Sequence, residues 1–289
     1  MEKELLNKAI SELELIRLAL EKLSPKEPIE PKWGNSNAYL WNSEIKSFSE
    51  INEVNRIPIE LLKGIDLNIK ILHDNTKQFS KKLPANNALL WGSRGMGKSS
   101  IIKAIHHEIS LSKTNSLKLI EVHREDIEDL PIILGHLKKH VDYSFIVFCD
   151  DLSFDGDDTT YKSLKAALEG GLEGKPKNVI FYATSNRRHL MPRDMIENES
   201  STAINPNESI EEKVSLSDRF GLWIGFHNCS QSDYLEMIKS YAEYYKINID
   251  KKDLNKLAIS WAAGRGSRSG RVAWQFINNL AGQNSIELD

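Results

Sequence analysis

Cysteine is nearly absent: Cys149 and Cys229 are the only two in 289 residues. That excludes a disulfide framework, and no Cys/His spacing suits a structural zinc site. Long apolar runs are missing too. No stretch approaches the roughly 18–20 apolar residues of a membrane-spanning helix, so no membrane partner is expected. The opening segment MEKELLNKAISELELI is acidic and amphipathic, unlike a signal peptide, and a cytoplasmic location is expected. Neither sign of charge is in excess: 38 Lys and Arg stand against 41 Asp and Glu, a formal net charge of -3. Nothing global advertises nucleic-acid binding, and only a local basic patch stays open. There is no internal repeat and no long low-complexity tract.

What is present is the composition of a globular protein, 40% hydrophobic and 27% charged. The length suffices for one large or two small buried cores. Residues 2–23 read as a helix, because Leu6, Leu13 and Leu20 recur every seven residues, as do Ala9, Ile16 and Leu23. That stripe suits packing on the chain's own domain or a short coiled-coil contact with a partner. The proline-rich SPKEPIEP ends the helix. WGNSNAYLWNSEIKSF carries exposed-looking aromatics without a clear period and gets no role.

From Leu61 onward, apolar strands alternate with helices. The segment after Gly64 reads as a helix, NALLWG as a strand, Lys98–Ser110 as a helix and LKLIEVH as a strand. REDIEDLPIILGHLKKH is a helix with a break near Pro131. SFIVFCDD is a strand, with Cys149 a small core residue, TTYKSLKAALEGG a helix ending near Gly170, and NVIFYATSN a strand. This order indicates a parallel sheet covered by helices on both faces. Residues 191–215 read as a polar surface excursion, LWIGF as a last strand, and three helices follow. The expected units are an N-terminal helical extension and linker over 1–59, an α/β domain over 60–228 and a small all-α lid over 229–289.

One stretch carries chemistry. Gly92, Ser93, Arg94, Gly95, Met96, Gly97, Lys98 and Ser99, with Ser100 beside them, spell G-x-x-x-x-G-K-S between a strand and a helix. Glycines let the backbone curl so that successive N–H groups point at phosphate oxygens, and the following helix adds its positive end. Lys98 reaches the β- and γ-phosphates, and the Ser99 hydroxyl ligates Mg²⁺. A second apolar strand, FIVFCDD, ends in two carboxylates. Asp150 there would help hold Mg²⁺ and Asp151 would polarise an attacking water. The same pair would also serve as N-cap aspartates of the next helix. His106 and His107 lack ligand spacing and read as ordinary helix residues; Trp91 reads as packing.

The order of motifs resembles that of an AAA+ ATPase, which implies a P-loop NTPase α/β fold with a helical lid, and ATP and Mg²⁺ as cofactors. LLKGID, with Gly64 and Ile65, resembles the segment that packs on adenine. Asn186 in ATSNRRHL falls at the sensor 1 position. Arg219 in LSDRFGLWIGF matches the arginine finger, which implies a ring or filament of identical subunits; an alternative is that it pairs with Asp218 or another surface carboxylate. RSGRVAWQF resembles the sensor 2 helix with Arg271 at the arginine position and Arg268 as runner-up, although GRGSRSGR also suits a nucleic-acid patch. The chain is more closely similar to a bacterial AAA+ family whose members carry PANN-LLWG-RG-GKSS, ATSNRRHL and SDRFGL, a resemblance covering roughly residues 60–280.

Two departures matter. Most AAA+ motors have Asp-Glu where this chain has Asp150-Asp151, as helicase loaders and replication initiators of the superfamily do. The region VHREDIEDLP lacks the aromatic pore loop of a threading motor. The leading expectation is ATP hydrolysis coupled to loading or remodelling a protein or nucleic-acid client. The alternatives are a nucleotide-dependent binding switch with little turnover and a small-molecule kinase, and the helical lid with SDRFG argues against the last.

Overall fold

The computed structural model describes residue 10 and residues 12–17, 31–111, 116–154, 160–171, 174–188, 190 and 216–288. Among them, the order is β1 (Ala38–Asn42), β2 (Ser47–Ile51), α1 (Asp66–Ser80), β3 (Ala88–Gly92), α2 (Lys98–Ser110), β4 (Leu117–Glu121), α3 (Leu130–Leu137), β5 (Ser144–Cys149), α4 (Tyr161–Glu169), β6 (Val179–Ser185) and β7 (Leu222–Phe226), then α5 (Gln231–Tyr244), α6 (Lys251–Arg265) and α7 (Gly270–Gln283). The strands form one sheet in the order β2-β1-β4-β5-β6-β3-β7. Every pairing is parallel except the β1–β2 hairpin.

The apolar runs are continuous because both faces of the sheet are covered. Side chains alternate across a strand. Along β5, Ile146 and Phe148 therefore join a core shared with α1, α2 and the three lid helices. Phe145, Val147 and Cys149 join a second core with α3 and α4. Burial pushes the Cys149 thiol up to about 12, so it is an inert packing group. Pro131 does not break a helix. A 3₁₀ segment over Arg124–Asp129 leads into α3, and Pro131 sits in its first turn, where no N–H is needed.

The lid helices are set by their own caps. Ser230 and Asp233 form a reciprocal capping box on α5, Asp250 caps α6, and the Ser269 hydroxyl accepts from Val272 N at the start of α7.

The segment left without a role is corrected by the structure: its aromatics are core, not surface. Tyr39 and Trp41 are 0% and 1% exposed, and Trp33 packs edge-on against Tyr39, Phe48 and Phe145. Trp41 Nε1 donates to Asp129 Oδ2 at 2.9 Å, and Lys46 Nζ donates to the same carboxylate at 2.6 and 2.7 Å. The hairpin thus extends the sheet beyond β4, and the span 1–59 contains two of its strands. Ile10 and residues 12–17 are helical with exposed side chains. The rest of the expected 2–23 helix, and the excursion at 191–215, lie outside the described residues. Among the described residues, no helix is long and apolar enough to cross a membrane.

Candidate functional site

The strand order brings the motifs together. β6 lies between β3 and β5, so the loop after β3, the carboxylates after β5 and Asn186 after β6 meet at the carboxyl ends of three adjacent strands. Open parallel sheets bind ligands at such an edge.

The phosphate loop leaves β3 through Gly92, whose φ is 126°. A Cβ there would lie 2.0 Å from Phe226 O of β7, so no other residue fits. The loop ends at Gly97, the N-cap of α2, with a left-handed φ of 89°. Lys98 opens α2, is 7% exposed, and donates from Nζ to Gly92 O at 2.8 Å, Ser93 O at 2.9 Å and Asn186 Oδ1 at 3.0 Å. Burial pushes the Lys98 ammonium below its usual range, and Asp151 and Asp150 act in the opposite direction.

The two aspartates are differently held. Asp150 Oδ1 accepts from Ser99 Oγ and from Thr184 Oγ1, each at 2.5 Å. The Asp151 backbone N–H donates to the same Thr184 hydroxyl at 2.9 Å, and Leu152 N donates to Thr184 O at 2.7 Å. Asp151 itself has φ of 50°. Asp and Asn tolerate that left-handed region better than Glu, which gives a local reason for Asp-Asp here. Asn186 Nδ2 donates to Asp151 Oδ1, so Asn186 bridges Lys98 and Asp151.

A cavity of about 590 Å³ opens from these groups towards the lid. Its polar end holds Lys98, Ser99, Ser100, Asp150, Asp151, Asn186, Arg94, Gly95, Met96 and Gly97. Its apolar end is walled by Ile57, Leu61, Leu62 and Ile65 on one side and by Met237, Tyr241 and Trp274 of the lid on the other. Arg271 lies on the cavity wall, and its backbone N–H donates to Gly95 O at 3.1 Å. Arg268 instead reaches Gln231 Oε1 at 3.1 Å.

Most of the expected residues converge here; four do not. Gly64 is not a wall of the cavity, because it packs against Asp233 of the lid. Gly92 and Ser93 act through their carbonyls on Lys98 rather than lining the space, and the Ser93 hydroxyl donates to Asn228 Oδ1 at 2.6 Å. Arg219 is not at its own chain's cavity; its guanidinium is ion-paired with the surface carboxylate of Glu169, as the alternative reading of this arginine allowed. Trp91 packs on Gly225 with Arg188 over its ring. Sequence reasoning missed Thr184, which shares the buried strand face of Ile180 and Tyr182 and so read as core, with no hint of a second hydroxyl on Asp150. It also missed Met237, Tyr241 and Trp274. Trp274 stands one helical turn after Arg271, and that spacing was a usable signal.

Together, the sheet order, the glycine loop opening α2 and the helical lid define an AAA+ P-loop NTPase fold. The chain belongs to the family described as "Protein of unknown function (DUF815)", which matches residues 34–284. The fold is similar to that of the Aeropyrum pernix ORC2 protein in its ADPNP–ADP complexes, with a TM-score of 0.51, 12% identity, and coverage of 79% of this chain and 70% of that one. The Thermotoga maritima RuvB Holliday junction branch migration motor aligns with a TM-score of 0.45 and 13% identity, over 80% of this chain and 85% of that one. No curated protein matches the sequence.

Proposed function

We propose that the cavity binds ATP with Mg²⁺ and that the protein hydrolyses it to load or remodel a macromolecular client. The observation that carries this reading is the meeting of two hydrogen-bonded pairs, Lys98 with Asn186 and Ser99 with Asp150, on one cavity at the phosphate loop. The residues fit both groups. Ser99 Oγ and Asp150 Oδ1 are hard oxygen donors side by side, the set a Mg²⁺ ion takes with water and phosphate oxygens. The apolar end between Ile65 and Trp274 suits a base, and Lys98, Arg94 and Arg271 supply positive charge at the other end.

Bound Mg²⁺ would neutralise charge on the phosphates. Lys98 would give up its contacts with Gly92 O and Ser93 O and turn its ammonium to the phosphate oxygens. Asp151 would orient a water and accept its proton, with Asn186 holding the carboxylate in place. Arg271 would tie the lid's position to the state of the site. Arg219 would act on the site of a neighbouring copy, which calls for a ring or filament.

A second reading is a nucleotide-dependent binding switch. It is favoured by Asp151, which is one methylene shorter than Glu and already occupied by Asn186. Phosphate release from wild type and Asp151→Asn separates the two. Turnover that is lost in the variant supports the ATPase; tight binding without turnover in the wild type supports the switch.

A further inference from the structure

The Arg219 side chain has a rigid mount. Leu216 and Ser217 are fully buried, Phe220 nearly so, and Trp223 Nε1 donates to Ser217 O at 2.9 Å. The backbone at this point is fixed, and the guanidinium moves on its own side-chain torsions. It rests on Glu169, the last residue of α4, to whose Oε1 both Nε and Nη2 donate, Nε at 2.7 Å.

Glu169 is oddly placed. A carboxylate in the last turn of a helix faces the negative end of the helix dipole, where cations are favoured. The last turn of α4 holds no basic residue. The helix also has to stop there: Gly170 has φ of 82°, and a Cβ on it would lie 2.1 Å from Lys175 N. Arg219 adds a positive charge from another element at this helix end. Both donors share one oxygen of Glu169, and the two side chains are 21% and 48% exposed. A phosphate that offers two oxygens to the guanidinium makes the stronger, two-pronged contact and competes for it.

We propose that Glu169 is a positioning residue that parks Arg219 within its own protomer and releases it only when a neighbour presents nucleotide phosphates. Glu169 thereby sets the protein concentration at which the assembly becomes competent. The inference rests on the reading of Arg219 as acting on a neighbouring copy.

The test follows assembly with ATP by sedimentation, and phosphate release per protomer, across a dilution series. Wild type, Glu169→Gln and Arg219→Ala are compared, with Glu169→Ala run in the same way should the glutamine variant not fold. Loss of Glu169 should lower the half-maximal concentration about three- to fivefold, the scale of an exposed pair, and leave the plateau and the melting temperature unchanged. Arg219→Ala should abolish the concentration dependence. A Glu169 variant with an unshifted midpoint, or with only a lower melting temperature, overturns the parking role while a defective Arg219→Ala keeps the trans role standing. Wild-type turnover in Arg219→Ala, or a wild type that never assembles, overturns the trans role itself and the parking role with it.

Discussion

Arg271 N and Gly95 O are joined by a 3.1 Å hydrogen bond, so the lid and the phosphate loop form one bonded unit. The first turn of α7 lies directly on the loop, and any change of loop shape is felt by the lid. The contact is close enough that a Cβ added at Gly270 would lie 3.0 Å from Gly95 O.

Gly270→Val should therefore push α7 off the loop. The expected outcome is a loss of ATP affinity of about tenfold, the size of one lost hydrogen bond, with thermal stability near wild type. Calorimetric titration with ATP and Mg²⁺ checks this, and unchanged affinity would mean that the lid contact is not coupled to binding.

The Asp151 backbone gives a second prediction. Asp151→Asn keeps the side-chain size and tolerates the φ of 50°, so nucleotide affinity should hold within about twofold. Turnover should fall by about a hundredfold or more, as expected when a general base is removed. Asp151→Glu places a longer side chain on the same left-handed backbone and should cost about 1 kcal/mol of stability. Denaturant melts and a phosphate-release assay measure the two effects.

Trp274 and Tyr241, with ring centroids 5.4 Å apart, close the apolar end of the cavity. Trp274→Ala should weaken ATP binding about tenfold through lost stacking area and leave binding of inorganic phosphate alone unaffected. Equal losses for both ligands would place the base elsewhere.

Buried His106 in α2 makes the fold acid-sensitive. Burial lowers it from 6.5 to about 4, with the Leu117 and Asn37 backbones acting weakly in the opposite direction. The unfolded chain takes up the proton first, so stability is present above about pH 6.5 and is lost as pH falls towards 4. Between pH 7 and pH 5 the loss should be about 2 kcal/mol. His106→Leu should remove most of that slope in urea melts at the two pH values; an unchanged slope would assign it to other groups.

How far the sequence could be read follows from the range of the interactions involved. Gly92 to Ser99, Asp150 and Asp151 were legible because a phosphate loop and a strand-end carboxylate are local patterns. The alternation of strands and helices was legible for the same reason. The β1–β2 hairpin was not: Tyr39 and Trp41 alternate over too few residues to show a period, and the partners that fix the aromatics, Asp129 for Trp41 and Phe145 for Trp33, lie far along the chain. Thr184 and Trp274 were missed because each matters only through a neighbour that the sheet order or the lid brings near. The pairing of Arg219 with Glu169 was equally nonlocal, since the two are 50 residues apart.

The central claim is that this loop holds the phosphates of ATP. Its most direct test is a titration of wild type and Lys98→Ala with ATP in the presence of Mg²⁺. Removal of the buried ammonium should leave binding weaker by at least about a hundredfold, the loss expected when a charge-assisted contact to phosphate is deleted from a desolvated site. A folded Lys98→Ala protein that binds ATP as tightly as wild type would contradict the assignment of the site.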